Sequence, residues 1–221
     1  AGNFQNQIFQ MIEGEKLGSF WGYTFAGVWQ EDDVNAPFVD ANGQTNGKTN
    51  GEVYKVKPGN SKYVDVNKDG VYNDADQGII GCGQPTFNWG WNNTFNYKNF
   101  DFSFFVVGFH GFDIYNATHQ MGYNLIKSQQ MAGVTPMREL LNRWTPTNTN
   151  TDIPGFVKGG TENKDFFSTR FVENGSFIKM KSITLGYTLP EATCRSLGIN
   201  NLRVYASVQN PFHITKYSGL D

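Results

Sequence analysis

The strictest alternation of apolar and polar positions runs through residues 86–111, TFNWGWNNTFNYKNFDFSFFVVGFHG. With Lys98 and Asn99 as a two-residue turn, pairing outward from Tyr97 and Phe100 sorts the side chains onto two faces. One face receives Phe95 with Phe102, Asn93 with Phe104, Trp91 with Val106, Trp89 with Gly108 and Phe87 with His110. The other receives Asn96 with Asp101, Thr94 with Ser103, Asn92 with Phe105, Gly90 with Val107 and Asn88 with Phe109. Successive strand residues point to opposite faces, so a slip of one position would scramble this sorting. The pattern predicts a hairpin with one ring-bearing face. Its other face is polar near the turn and mixed toward Phe105, Val107 and Phe109.

Three more stretches alternate in the same way. Residues 20–29 set Trp21, Tyr23, Phe25 and Trp29 against Gly22, Thr24 and Ala26. Residues 177–189 set Ile183, Leu185, Tyr187 and Leu189 against Ser182, Thr184, Gly186 and Thr188. Residues 202–209 set Leu202, Val204, Ala206 and Val208 against Arg203, Tyr205, Ser207 and Gln209. Each is about as long as a tilted membrane-spanning strand of about 9–11 residues. The connections alternate long and short. Residues 30–85 carry Asn-Gly turns at 42–43, 46–47 and 50–51, and residues 111–170 carry an expected short helix in TPMRELLNRW, opened by Thr135-Pro136. The short ones are the Lys98-Asn99 turn and residues 190–201, with one helical turn expected in EATCRSLG. Long loops at one end and tight turns at the other are the rhythm of an outer-membrane barrel.

The hairpin's ring-bearing face carries Phe87, Trp89, Trp91, Phe95, Tyr97, Phe100, Phe102, Phe104 and Val106. At about 2 kcal/mol per large apolar side chain, leaving all of these in water forgoes more than the whole stability of a typical domain, about 5–15 kcal/mol. Something apolar covers them: lipid, or a second sheet in a sandwich. The lipid reading makes the chain all-β, its antiparallel strands belonging to a transmembrane β-barrel with long extracellular loops. Five strands close no barrel, since single-chain barrels start at about eight. The chain is then a fragment of a larger one.

Composition narrows the picture without overturning it. The 221 residues carry 18 basic and 20 acidic side chains, a formal charge of −2, which offers nothing to a nucleic-acid backbone. Aromatic residues make up 15 % and charged residues 17 %, a mixture that argues against both disorder and a helical bundle. No apolar run is long enough for a membrane-spanning helix, and the first residues, AGNFQNQIFQ, do not form a signal peptide. Cys82 and Cys194 form no metal-ligand cluster.

One stretch has the spacing of a calcium loop. In DVNKDGVYNDAD, Asp65, Asn67 and Asp69 stand at positions 1, 3 and 5, Gly70 at 6, Asn73 at 9 and Asp76 at 12, with the Val71 carbonyl at 7. Hard oxygen donors at alternating positions wrap Ca²⁺, and glycine allows the sharp reversal. Asp replaces the usual Glu at the last position, and no amphipathic helices flank the loop; an Asx-rich surface turn that binds nothing is the alternative. Catalysis finds no constellation: His110, His119 and His213 are scattered, Glu31, Asp32 and Asp33 read as a solvated charge run, and no nucleophile motif is present. Trp144, Phe166 and Phe167 are the loop aromatics that sugar rings would stack on. The residues alone therefore leave three readings: a transporter-barrel fragment, a soluble calcium-dependent carbohydrate-binding β-sandwich, and, last, a glycoside-acting enzyme.

Several segments, in order, resemble the carboxy-terminal part of the SusC/RagA family of TonB-dependent outer-membrane transporters of Bacteroidota. They are GEKLGSFWGYTFAGVWQ (14–30), DVNKDGVYNDADQGIIG (65–81), PTFNWGWNNTFNYKNFDFSFFVVGFHG (85–111), RWTPTNTNTDIP (143–154), FVENGSFIKMKSITLGYTLP (171–190) and NLRVYASVQNPFHITKYSGLD (201–221). The resemblance implies a non-enzymatic importer of glycans or oligopeptides, a barrel of about 22 strands in the outer membrane of a Gram-negative bacterium. It further implies a SusD-like surface lipoprotein as lid and energy from the TonB complex. Residues 1–221 are expected to be a carboxy-terminal barrel portion without a plug or TonB box. Pro211 departs from the apolar residue that family members carry after the QN dipeptide.

Orientation also follows from the resemblance: the turns at Lys98-Asn99 and 190–201 face the periplasm, and the loops 30–85 and 111–170 face outward. Asn88, Asn92, Asn96, Asp101, Arg203 and Tyr205 then wet the lumen wall, and the substrate-contacting residues are not identified. Cys82 falls near the outer rim and Cys194 near the inner one, too far apart for a disulfide.

Overall fold

Two separate sets of contacts organise the residues that the computed structural model describes, 13–123, 137–155 and 166–219. The first unit comprises the described residues up to Cys82 and those from Ile114 to Glu173, and the second runs from Gly83 to Asp113 and from Asn174 to Ser218.

The first unit is built from short pieces. Residues 20–29, expected as one strand, are two: β1 (Ser19–Tyr23) and β2 (Phe25–Val28). They are followed by α1 (Glu31–Asn35), β3 (Pro37–Val39), β4 (Thr45–Thr49), α2 (Asn50–Tyr54), β5 (Ser61–Tyr63) and β6 (Gln77–Cys82). The expected strand breaks at Thr24 because its halves take different partners: β1 pairs with β6 and β2 with β5, each ladder with a register shift. Phe20, Tyr23, Val28 and Trp29 are buried there, which disrupts the simple two-face sorting. These rings belong to a protein core.

The second unit holds the long strands β7 (Phe87–Tyr97) and β8 (Phe100–His110). The chain then passes through β9 (Asp113–Tyr115), α3 (Ala117–Tyr123) and β10 (Val172–Asn174), which lie mostly in the first unit. It then adds β11 (Phe177–Thr188), α4 (Glu191–Ser196), β12 (Arg203–Gln209) and β13 (His213–Thr215). The sheet order is β12-β11-β8-β7, all antiparallel, with β13 also on β11. The β7/β8 register runs from Tyr97↔Phe100 to Phe87↔His110, as the alternation predicts. The helical turn expected after residue 190 is α4. The helix expected in TPMRELLNRW is instead a 3₁₀ turn, Arg138–Asn142; Thr135 and Pro136 lie outside the described residues.

The last strand is interrupted. Lys181 bulges out of β11, and opposite it Asn210, at φ +48°, donates its N–H to the Lys181 carbonyl at 3.0 Å. Pro211 has no N–H to give and sits in this gap, after which Phe212 accepts from the Met180 amide at 3.1 Å and β13 resumes the pairing. Among the described residues β7 and β12 are each paired along one side only.

Candidate functional site

The four long strands align the alternating residues into rows. On one face the rows read Tyr97–Phe100–Tyr187–Val204, Phe95–Phe102–Leu185–Ala206 and Asn93–Phe104–Ile183–Val208. On the other they read Asn96–Asp101–Gly186–Tyr205, Thr94–Ser103–Thr184–Ser207 and Asn92–Phe105–Ser182–Gln209. The ring rows cohere through aromatic contacts, with Phe100 and Tyr187 centroids 4.6 Å apart and Trp91 edge-on to Phe104 at 5.2 Å. Yet they are not sealed: Phe95 is 55 % exposed, Trp91 56 % and Tyr97 70 %. Along the polar rows Thr184 and Ser207 hydroxyls meet at 2.9 Å. Farther from the turn this face becomes apolar, where Phe109 stacks on Phe177 at 5.2 Å.

One polar group breaks the ring face. The Asn93 amide nitrogen is buried without a hydrogen-bond partner, opposite Phe104. At the turn, the Asn99 side chain donates to the Thr188 carbonyl at 2.7 Å and the Asn99 carbonyl accepts from the Thr188 amide at 2.8 Å. Those two bonds fasten the hairpin to β11.

The calcium-spaced loop lies in the first unit, between β5 and β6. Asp65 Oδ2 accepts from the Gly70 amide at 2.8 Å and from the Tyr54 hydroxyl at 2.9 Å, while Asp65 Oδ1 is buried and has no hydrogen-bond partner. Gly70, at φ +83°, turns the chain back so closely that a Cβ there would strike Val53. Asp69 Oδ1 accepts from the Val71 amide at 2.8 Å, and its Oδ2 takes the amides of Asn67 at 2.9 Å and Asn73 at 3.1 Å. Those contacts hold the Asp69 carboxyl below its ordinary range, the Val71 N–H contributing most. Asp76 is buried and bridges the loop ends, accepting from Val66 and Asn73 amides. Among the described residues no three acidic, histidine or cysteine side chains converge as a metal cluster. A cation here would draw on amide and main-chain oxygens as well, which suits Ca²⁺.

Beside this loop three tyrosines at equal intervals, Tyr54, Tyr63 and Tyr72, pack together. Tyr54 stacks on Tyr72 at 5.1 Å, and Tyr63 meets Tyr72 edge-on at 5.6 Å and Phe166 at 5.2 Å. Burial is the main cause that pushes the Tyr72 phenol up to about 12 and raises that of Tyr54 further, helped by Asp65. They line a cavity of about 350 Å³ with Lys55 and Val71. The sequence reading did not pick out this cluster; its signal was the nine-residue spacing of the tyrosines around the aspartate loop. Trp144 and Phe166, read as sugar-stacking aromatics, line two different cavities of this unit.

The cysteines fall in different units. Cys194 is the buried residue of α4, its sulfur 3.8 Å from the Leu189 carbonyl, and the Cys82 sulfur is 3.9 Å from the Leu17 carbonyl. His119 faces Glu173 at 3.5 Å, and His110 accepts from the Trp89 indole at 3.2 Å.

Comparison with known proteins follows the same lines. No family model matches the chain. It is 34 % identical over its full 221 residues to TonB-dependent receptor P3 of Formosa agariphila, and 32 % identical over 75 % of its length to TonB-dependent receptor SusC of Bacteroides thetaiotaomicron. These alignments cover 20 % and 15 % of the two relatives, so the chain spans about a fifth of their length or less. Among solved structures, the RagAB peptide transporter superposes on 98 % of the chain with a TM-score of 0.65 at 21 % identity, covering 22 % of that chain. The matched fold is all-β, with few helices, and no helix among the described residues is long and apolar enough to cross a membrane. Its relatives are receptors and transporters, not enzymes. Related in sequence to one segment of these larger receptors, over its full length for P3 and over three quarters of it for SusC, the chain belongs with the TonB-dependent receptors.

Proposed function

We propose that the chain forms part of the wall and outward-facing loops of a nutrient importer in the outer membrane of a Gram-negative bacterium of the Bacteroidota. The observation that carries this reading is the exposed ring face, aligned across four strands and opposed by rows of Asn, Ser and Thr. Rings toward lipid and small polar groups toward a lumen are what a barrel wall requires. In this reading the Lys98-Asn99 turn and residues 190–201 face the periplasm. Loops 30–85 and 111–170 face outward and contribute to capture of a glycan or oligopeptide beneath a SusD-like lipoprotein. Import is driven by the TonB complex, and residues 1–221 take the carboxy-terminal barrel position.

Lipid-quenching fluorescence tests the wall. In bilayers whose acyl chains carry bromine, tryptophan emission is expected to fall, and Trp91→Phe is expected to remove part of that quenching. A monodisperse monomer in buffer without detergent would overturn the reading and favour a soluble sandwich.

We further propose that Asp65, Asn67, Asp69, Val71, Asn73 and Asp76 take up Ca²⁺. What supports this is the buried Asp65 Oδ1 without a partner, in a loop whose first carboxylate is already anchored by the sixth-position glycine amide. Terbium luminescence, sensitised by the neighbouring tyrosines and displaced by calcium, is the expected result. Emission unchanged by Asp65→Asn would overturn it.

A further inference from the structure

The cavity beside the aspartate loop is lined by rings whose hydroxyls are already engaged. Tyr54 donates to Asp65 at 2.9 Å, Tyr63 accepts from the Phe166 amide at 3.2 Å, and Tyr72 accepts from the Tyr63 amide at 3.4 Å. The Tyr72 hydroxyl, an acceptor in this contact, keeps its proton to donate, and around it the wall presents ring surfaces and the Val71 methyl groups. A polyhydroxylated ligand would recover only part of its water hydrogen bonds against these rings. An apolar ring loses none. The space is ample for one, since a cavity of about 150 Å³ accepts benzene and this one measures about 350 Å³.

Charge comes from Lys55, whose side chain is exposed, lines the cavity and forms no ion pair among the described residues. The carboxylate of Asp65 is bonded to the Tyr54 hydroxyl and is not part of the cavity wall. The walls are also set in advance, because Tyr63 is edge-on to both Tyr72 and Phe166 and is itself only 5 % exposed. Ordered walls reduce the cost of binding.

We propose that this cavity binds a small organic anion carrying an aromatic ring, the ring lying among Tyr54, Tyr63, Tyr72 and Phe166 and the anionic group meeting Lys55. Such a group occurs as a free aryl carboxylate or as part of a larger molecule. The first unit holds the whole site, so the inference does not depend on where the β-sheet unit resides.

Saturation-transfer NMR on the full chain in detergent micelles, with 3-phenylpropionate as the probe, tests it. Binding is expected, and Val71→Trp, a change at an exposed residue, is expected to abolish it by filling the space. Lys55→Gln is expected to weaken it about 2- to 5-fold, the scale of an exposed ion pair. The neutral analogue 3-phenylpropan-1-ol should lose affinity similarly. Transfer that persists in the Val71→Trp variant, equal binding of acid and alcohol, or no transfer to the acid would overturn the proposal. Binding of maltose in place of the acid would overturn the assigned ligand class. None of these outcomes bears on the bilayer reading, which lipid quenching decides separately.

Discussion

Arg203 reaches across the middle strand of the sheet to hold Asp101, its Nη2 2.6 Å from Oδ2 and its Nε 3.0 Å from Oδ1. The residue it passes over is Gly186, paired with Asp101 on one side and Tyr205 on the other. A Cβ at Gly186 would collide with the Asp101 carboxylate and the guanidinium. The missing side chain makes room for a clasp that ties β8 to β12 over β11. Gly186→Val is expected to destabilise the sheet by about 1–3 kcal/mol, the usual cost of overpacking. Denaturant unfolding of the lipid-reconstituted chain checks this. In an Asp101→Asn/Arg203→Gln background the same substitution should cost less, and an equal cost would show that the clasp is not what the glycine serves.

Adjacent residues on β8 make a sharp test of sidedness. Phe104 lies in a ring row and Ser103 in a polar row. Phe104→Arg should cost about 2–4 kcal/mol in a bilayer, whereas Ser103→Arg should cost little. Equal losses, measured by urea unfolding in lipid, would contradict the assignment of faces.

Asn93 is a polar residue within the ring rows, and its amide nitrogen has no partner among the described residues. Asn93→Leu should therefore stabilise the lipid-embedded sheet, by about 1–3 kcal/mol, the cost of a buried unsatisfied polar group. A loss of stability on the same assay would mean that the amide meets a partner in the assembled protein.

Acid should loosen the first unit at two places. Hydrogen bonds hold the Glu52 carboxyl below its usual range, the Thr49 backbone N–H first and its hydroxyl second, and the Val71 N–H does most for Asp69. Both carboxyls bind protons more weakly in the folded state than in the unfolded one. Their contribution is complete above the unfolded carboxylate range, near pH 4, and disappears as pH falls through the lowered native values. Hydrogen-exchange protection factors at the Thr49 and Val71 amides should fall over that acid window, and protection that stays level there would refute the linkage.

The hairpin and the later rows were legible because their determinants are local. A two-residue turn fixes the β7/β8 register, and period-two alternation carries it to Phe87 and His110. The same alternation failed over residues 20–29 because β1 and β2 depend on strands that begin far along the chain, at Gln77 and Ser61. Rings at alternate positions gave no sign that the run would divide at Thr24. The aspartate loop was readable as spacing, since Asp65 and Gly70 do meet. Its neighbouring cavity was hidden, because it needs Phe166 brought from about a hundred residues away to Tyr63, as their hydrogen bond shows.

Among the described residues β7 and β12 each present one row of main-chain donors and acceptors with no ladder beside it. Hydrocarbon tolerates no such unzipped border, and in water the same border invites stray chains. In the barrel reading both borders are paired with further strands, so the bilayer measurements above call for the chain within an assembled barrel. With both borders left open in a cell, the chain is expected to collect in inclusion bodies.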